Sequence, residues 1–174
     1  MPLSVHETLV RTITNLFATL SSLLDKAEAD AAARGYDVSV LLGSRLAPDM
    51  FPLSRQIQSA SDVAKASVGR LTGVEIPSFP DTETTLAELR ERIAKTVAFV
   101  QSVPADAYDG ADTREVTVKT RDRTLTFAGS DYLLAWALPN FYFHITTAYA
   151  ILRHNGVSLG KRDFLAGGLA SLVK

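Results

Sequence analysis

The chain has 174 residues, no cysteine, 18 Lys and Arg against 19 Asp and Glu, and 47% hydrophobic but only 21% charged residues. A chain of this length hides roughly 70% of its unfolded surface in one core, so it needs no disulfide or structural metal to fold. The missing cysteines exclude thiolate zinc sites, iron–sulfur clusters and cysteine nucleophiles, while a net charge of −1, a pI near 6.3 and the lack of any Lys/Arg run argue against nucleic-acid binding.

Ser4-Val-His-Glu7 has the spacing of a capping box and opens the first helix. Apolar residues then recur every three or four positions, at Leu9, Ile13, Leu16, Phe17, Leu20, Leu23, Leu24, Ala27 and Ala31, until Gly35 ends the helix by entering the left-handed region. A helix over Val5 to Arg34 is long for one domain and predicts a bundle. After a connector from Tyr36 to Pro48, Asp49 is the expected cap of a second helix with Met50, Leu53, Ile57, Ala60, Ala64, Val68 and Leu71 on its dry face and Pro52 in its first turn, ending at Gly73. Thr85-Leu-Ala-Glu88 is a second capping-box spacing; Leu86, Leu89, Ile93, Val97 and Val100 follow, and Pro104 stops this third helix.

Between Thr113 and Gly129 the period becomes two: Val116, Val118, Leu125 and Phe127 alternate with polar residues about Arg121-Asp122-Arg123, which predicts a short hairpin lying on the bundle. The last long helix opens at Ser130 and runs to about Gly156, with Pro139 expected to kink or split it. Leu159 to Lys174 is weakly patterned. The opening Met-Pro-Leu-Ser-Val-His-Glu lacks the basic and apolar segments of a secretory signal, and no stretch approaches ~20 apolar residues, so a cytoplasmic protein with no membrane partner is expected.

Chemistry concentrates in Leu138 to Val157, which holds two of the three histidines. Asn140 and His144 are four apart and share a helix face with Phe141 and Ala148, so His144 points inward. An inward imidazole in a bundle is either a metal ligand or acid–base group, or a core residue with both nitrogens satisfied. His154 falls where its cation would favour the helix C-terminus, and His6 lies in the first turn of the first helix. No Gly-x-Ser-x-Gly and no Gly-rich phosphate loop occur. Glu88 with Glu91 and Arg92, and Glu28 with Asp30, read as solvated helix faces, and the charges of Arg114 to Arg123 as hairpin surface.

The block Leu138-Pro-Asn-Phe-Tyr-Phe-His144, followed by Thr146-Thr-Ala-Tyr-Ala-Ile-Leu-Arg-His-Asn-Gly156-Val and Gly160-Lys-Arg-Asp-Phe-Leu165, resembles an uncharacterised bacterial and fungal family within the DinB/YfiT-like metalloenzymes. Leu46-Ala-Pro-Asp-Met-Phe-Pro-Leu53 and Gln56 fit the same family, so the resemblance spans Ser4 to Leu165. It implies an all-α, four-helix bundle with the β-hairpin between the third and fourth long helices, as a single domain over 1–174. In the wider superfamily nickel or zinc is held by one histidine on the second helix and a His-x-x-x-His pair on the last long helix. Here the pair falls on Asn140 and His144, and the second helix offers only Gln56 or Gln58.

Neutral amides are poor donors to these metals, so the resemblance implies a pocket lined by Asn140, His144, Phe141, Tyr142 and Gln56 that has lost its metal, with no cofactor. Helix phase places Asn140 to hydrogen-bond His144 or Gln56. The resulting expectation is a metal-free bundle that binds a small molecule or serves as an assembly module, with homodimerisation through a second dry face at Leu23 and Leu24. Two alternatives stand beside it: a metal-dependent, thiol-dependent transferase using His144 with His6 or Asp49, and a purely structural module.

Overall fold

The computed structural model describes residues 4–169, with side chains to residue 166. Its helices are α1 (Val5–Arg34), α2 (Ser39–Leu42), α3 (Leu53–Thr72) and α4 (Leu86–Ser102), followed by a 3-10 turn at Ala105–Tyr108. Strands β1 (Glu115–Lys119) and β2 (Thr124–Ala128) come next, then a helical turn α5 (Gly129–Asp131), a π segment (Tyr132–Ala137), α6 (Leu138–His154) and α7 (Lys161–Leu169). Helices α1, α4, α3 and α6 form the bundle in that order around its axis.

The local signals act as their chemistry requires. The Ser4 hydroxyl accepts from the Glu7 amide at 3.0 Å, although the Glu7 carboxylate goes to Arg11 at 2.6 Å. At Thr85 the box is complete: the Glu88 amide donates to the Thr85 hydroxyl at 3.3 Å, and the Thr85 amide to the Glu88 carboxylate at 2.9 Å. Gly35 and Gly73 close α1 and α3 at φ 72° and 82°, where a side chain would be strained. The apolar faces of the four helices meet in one core, in which the Phe17 and Phe141 rings stand edge to face at 5.1 Å.

Strands β1 and β2 pair antiparallel with Val116 opposite Phe127 and Val118 opposite Leu125. Val116 and Val118 face the core, which fixes the hairpin on the bundle as its marginal isolated stability demands.

Five expectations need correction. Asp49 caps nothing and Met50 lies outside the helix: α3 begins at Leu53 with Pro52 as its N-cap, because the Leu53 amide is already taken by the Ser44 carbonyl at 2.9 Å. The connector holds the short helix α2, anchored by buried Leu41 and Leu42. Pro139 does not split the last helix. It sits at the start of α6 directly after the π segment, a widened stretch that accommodates a missing amide donor.

The fourth correction concerns the tail, where residues 161–169 form α7 along α1, held by Lys26 to Asp163 at 2.6 Å and by Tyr149 edge-on to Phe164 at 5.7 Å. Residues 170–174 lie outside the described residues. Leu23 and Leu24 are both buried within the chain, so they offer no surface to a second copy.

Candidate functional site

His144 lies mid-way along α6 and Gln56 in the first turn of α3, and the two helices pack side by side. Gln56 is 1% exposed and His144 half-buried; His144 Nδ1 and Gln56 Oε1 are 2.8 Å apart. The assignment of roles follows from the other end of the amide. Gln56 Nε2 donates to the Phe51 carbonyl at 3.1 Å, so its oxygen faces the imidazole and can only accept. His144 Nδ1 therefore carries the proton and donates it. Burial pushes its pKa below the usual histidine value and the positive charge of Arg55 pushes the same way, both favouring the neutral ring. Its Nε2 then presents a lone pair that makes no hydrogen bond among the described residues, on a side chain that is half-buried.

Of the five residues expected to line the site, the structure joins only His144 and Gln56. Asn140 Nδ2 donates to the Trp136 carbonyl at 2.7 Å, serving the turn that the π segment and Pro139 disturb instead of reaching His144 or Gln56. Phe141 is core, against Phe17. Tyr142 is 44% exposed and lines a groove of about 470 Å³ with Leu46, Met50, Phe143, Thr147 and Ala150. The Phe143 ring stands edge-on to His144 at 5.5 Å and is 56% exposed. Leu46, Phe51 and Phe143, all exposed, are the apolar residues that inward-facing periodicity could not reveal. His6 stands against Tyr108 at 5.0 Å and is not a partner of His144.

Sequence reading also missed a charge cluster. Arg92, taken as part of a solvated face, is 2% exposed. Its guanidinium bonds Glu83 at 2.8 Å, Asp62 at 2.9 Å, Asp81 at 3.0 Å and the Pro80 carbonyl at 3.2 Å. Lys65, also buried, bonds Asp62 at 3.1 Å and the Pro77 carbonyl at 3.1 Å, with its ammonium 4.0 Å from the Phe79 ring centre. Arg55 pairs with Asp81, and Gln58 donates to Glu83 at 2.9 Å. Three cations thus balance three carboxylates and strap the connector between α3 and α4 onto both helices.

The sequence matches the domain of unknown function DUF1993 over residues 5–165. The chain belongs to this family. A crystal structure of a DinB family member protein from Shewanella denitrificans is 43% identical to it, superposes with a TM-score of 0.87, and is matched over 92% of this chain and 91% of that one. No curated protein matches the sequence. The fold of this DUF1993 member is accordingly DinB-like, a helical bundle carrying a two-stranded hairpin.

The metal that the DinB resemblance implies does not suit the residues present. Among the described residues no group of three or more His, Cys, Asp or Glu side chains could hold a metal ion. The candidate donors beside His144 are carboxamides, and both are committed, Gln56 to His144 and Phe51 and Asn140 to Trp136. One imidazole with two engaged neutral amides is a poor set for nickel or zinc, which are normally held by imidazole or anionic ligands. Among the described residues no helix is long and apolar enough to cross a membrane.

Proposed function

We propose that this DUF1993 member is a metal-free binding protein whose site is built on the Gln56–His144 pair and the exposed apolar residues beside it. The observation that carries this reading is the chain of bonds from the Phe51 carbonyl through the Gln56 amide to His144 Nδ1, which fixes one tautomer and leaves Nε2 as an oriented acceptor. A metal-ligating imidazole is commonly oriented in the same way by a group on its other nitrogen, but among the described residues no group of three His, Cys, Asp or Glu side chains accompanies it. A neutral acceptor next to a mostly apolar groove is instead the composition of a small-molecule site, in which a few placed polar groups orient an apolar ligand.

A thermal-shift screen of small aromatic and aliphatic fragments tests this. Fragments that stabilise the wild-type protein are expected to lose at least half of their shift in His144→Ala and in Gln56→Ala. A screen in which no fragment stabilises the protein, or shifts that survive both substitutions, would contradict the reading. So would stoichiometric nickel, zinc or iron in protein purified without a histidine tag.

A further inference from the structure

We propose that the ligand of this site is a molecule with an apolar, ring-sized body and a single neutral hydrogen-bond-donor group, such as a phenol, its donor on His144 Nε2 and its body on Phe143 and the adjoining groove. This rests on the binding function proposed above and adds the chemistry of the ligand.

Polarity at the imidazole is set by its surroundings. Nδ1–H is spent on Gln56, so the ring can offer a ligand only a lone pair, and that lone pair selects a donor over an acceptor. The ring itself gives an ionic ligand no charge to pair with, since burial opposes the imidazolium and Arg55 is already paired with Asp81. A neutral donor group is what remains.

Shape at the groove is set by α6. Phe143 touches His144 and also lines the groove, so this one side chain joins the imidazole to a groove of which His144 is not itself a wall. The groove is walled by Leu46, Met50, Tyr142, Phe143 and Ala150 together with Thr146 and Thr147, and its volume of about 470 Å³ exceeds that of a single aromatic ring. Rings pack edge-to-face against Phe143 with favourable geometry, as His144 itself does. The groove is thus matched to a flat apolar body whose polar end is satisfied once.

The test compares p-cresol with 4-methylanisole, which has nearly the same shape and an oxygen but no donor, by NMR titration of the full chain. One net hydrogen bond corresponds to about fivefold or more in affinity. p-Cresol is expected to bind at least that much more tightly, with the His144 and Phe143 resonances moving. His144→Ala should bring the two probes to equal affinity, and Phe143→Ala, a change at an exposed residue, should weaken both. Equal binding of the two probes in the groove would overturn the donor assignment while leaving the binding function standing. Failure of both probes to bind, with His144 and Phe143 unmoved, would overturn both. Sedimentation showing a dimer that buries Phe143 would overturn the proposal as well, by giving the groove to a second copy.

Discussion

Replacing Arg92 by methionine is expected to lower the unfolding free energy by about 3–5 kcal/mol, the usual result of deleting one partner of a buried ion pair. In a chain of this size that is a fall in Tm of about 10 °C. The cause is the charge left behind, since the Glu83 side chain is only 10% exposed and would lose its guanidinium partner without gaining full hydration. Urea unfolding followed by circular dichroism measures the loss. Arg90→Ala is the control: Arg90 pairs with Asp25 and Glu28 at the surface, and its removal should cost under about 1 kcal/mol. Comparable losses in the two variants would refute the special role of the buried cluster.

The same cluster gives a direction with pH. Burial raises the Glu83 pKa, but bonds from Arg92, Gln58 and the backbone, with the Arg92 charge, outweigh it and hold the group below the ordinary carboxyl value of 4.5. Stability from a depressed carboxyl is complete above its unfolded pKa and is lost as the pH falls through the folded one. Wild-type stability should therefore decline below about pH 4.5, and part of that decline should disappear in Glu83→Gln.

Gly129→Ala is the second large effect, expected to destabilise by about 3 kcal/mol. A Cβ built at Gly129 would stand 1.7 Å from the Ala111 carbonyl oxygen and 2.9 Å from its carbon, both backbone atoms that no side-chain rotation can move. This close approach is how the chain leaving β2 docks on the loop after the 3-10 turn, where the Ser130 amide also bonds the Asp112 carbonyl at 2.8 Å. In a helix, alanine for glycine ordinarily stabilises by roughly 0.5–1 kcal/mol, so the sign of the effect is itself diagnostic. Gly43→Ala, where a Cβ meets nothing within 4 Å, should be neutral or slightly stabilising in the same urea assay. Equal stability of the Gly129 and Gly43 variants would mean that Gly129 does not make this approach.

How far these features can be read from the chain depends on how local their causes are. The bounds of α1, the C-terminus of α3 and the start of α4 rest on residues within four positions of each other, at Ser4 and Glu7, Gly73, and Thr85 and Glu88, and a local pattern contains all that determines them. The Arg92 cluster draws its carboxylates from Asp62, Asp81 and Glu83, up to thirty positions away, so only the fold can show that the arginine is buried. Helix α7 carries glycines and little pattern of its own; its partner is α1, more than a hundred residues earlier, as the 145-residue separation of Thr19 and Phe164 illustrates.

At the site, helix phase turned His144 inward, and the structure has it half-buried against Gln56 of the second long helix. Phase could not show that Asn140 is claimed by the Trp136 carbonyl, because that demand arises from the π segment, nor that Tyr142 turns outward to a groove. Side chains with several possible partners are assigned by three-dimensional competition among them.

The proposed site requires His144 to be a neutral imidazole, protonated on Nδ1 and free of metal. Long-range proton–nitrogen NMR of the histidine side chains at neutral pH tests it most directly. His144 is expected to show a protonated, pyrrole-type Nδ1 and an unprotonated, pyridine-type Nε2, both unchanged by equimolar zinc. A proton on Nε2, a doubly protonated ring, or signals displaced by one equivalent of zinc would contradict it.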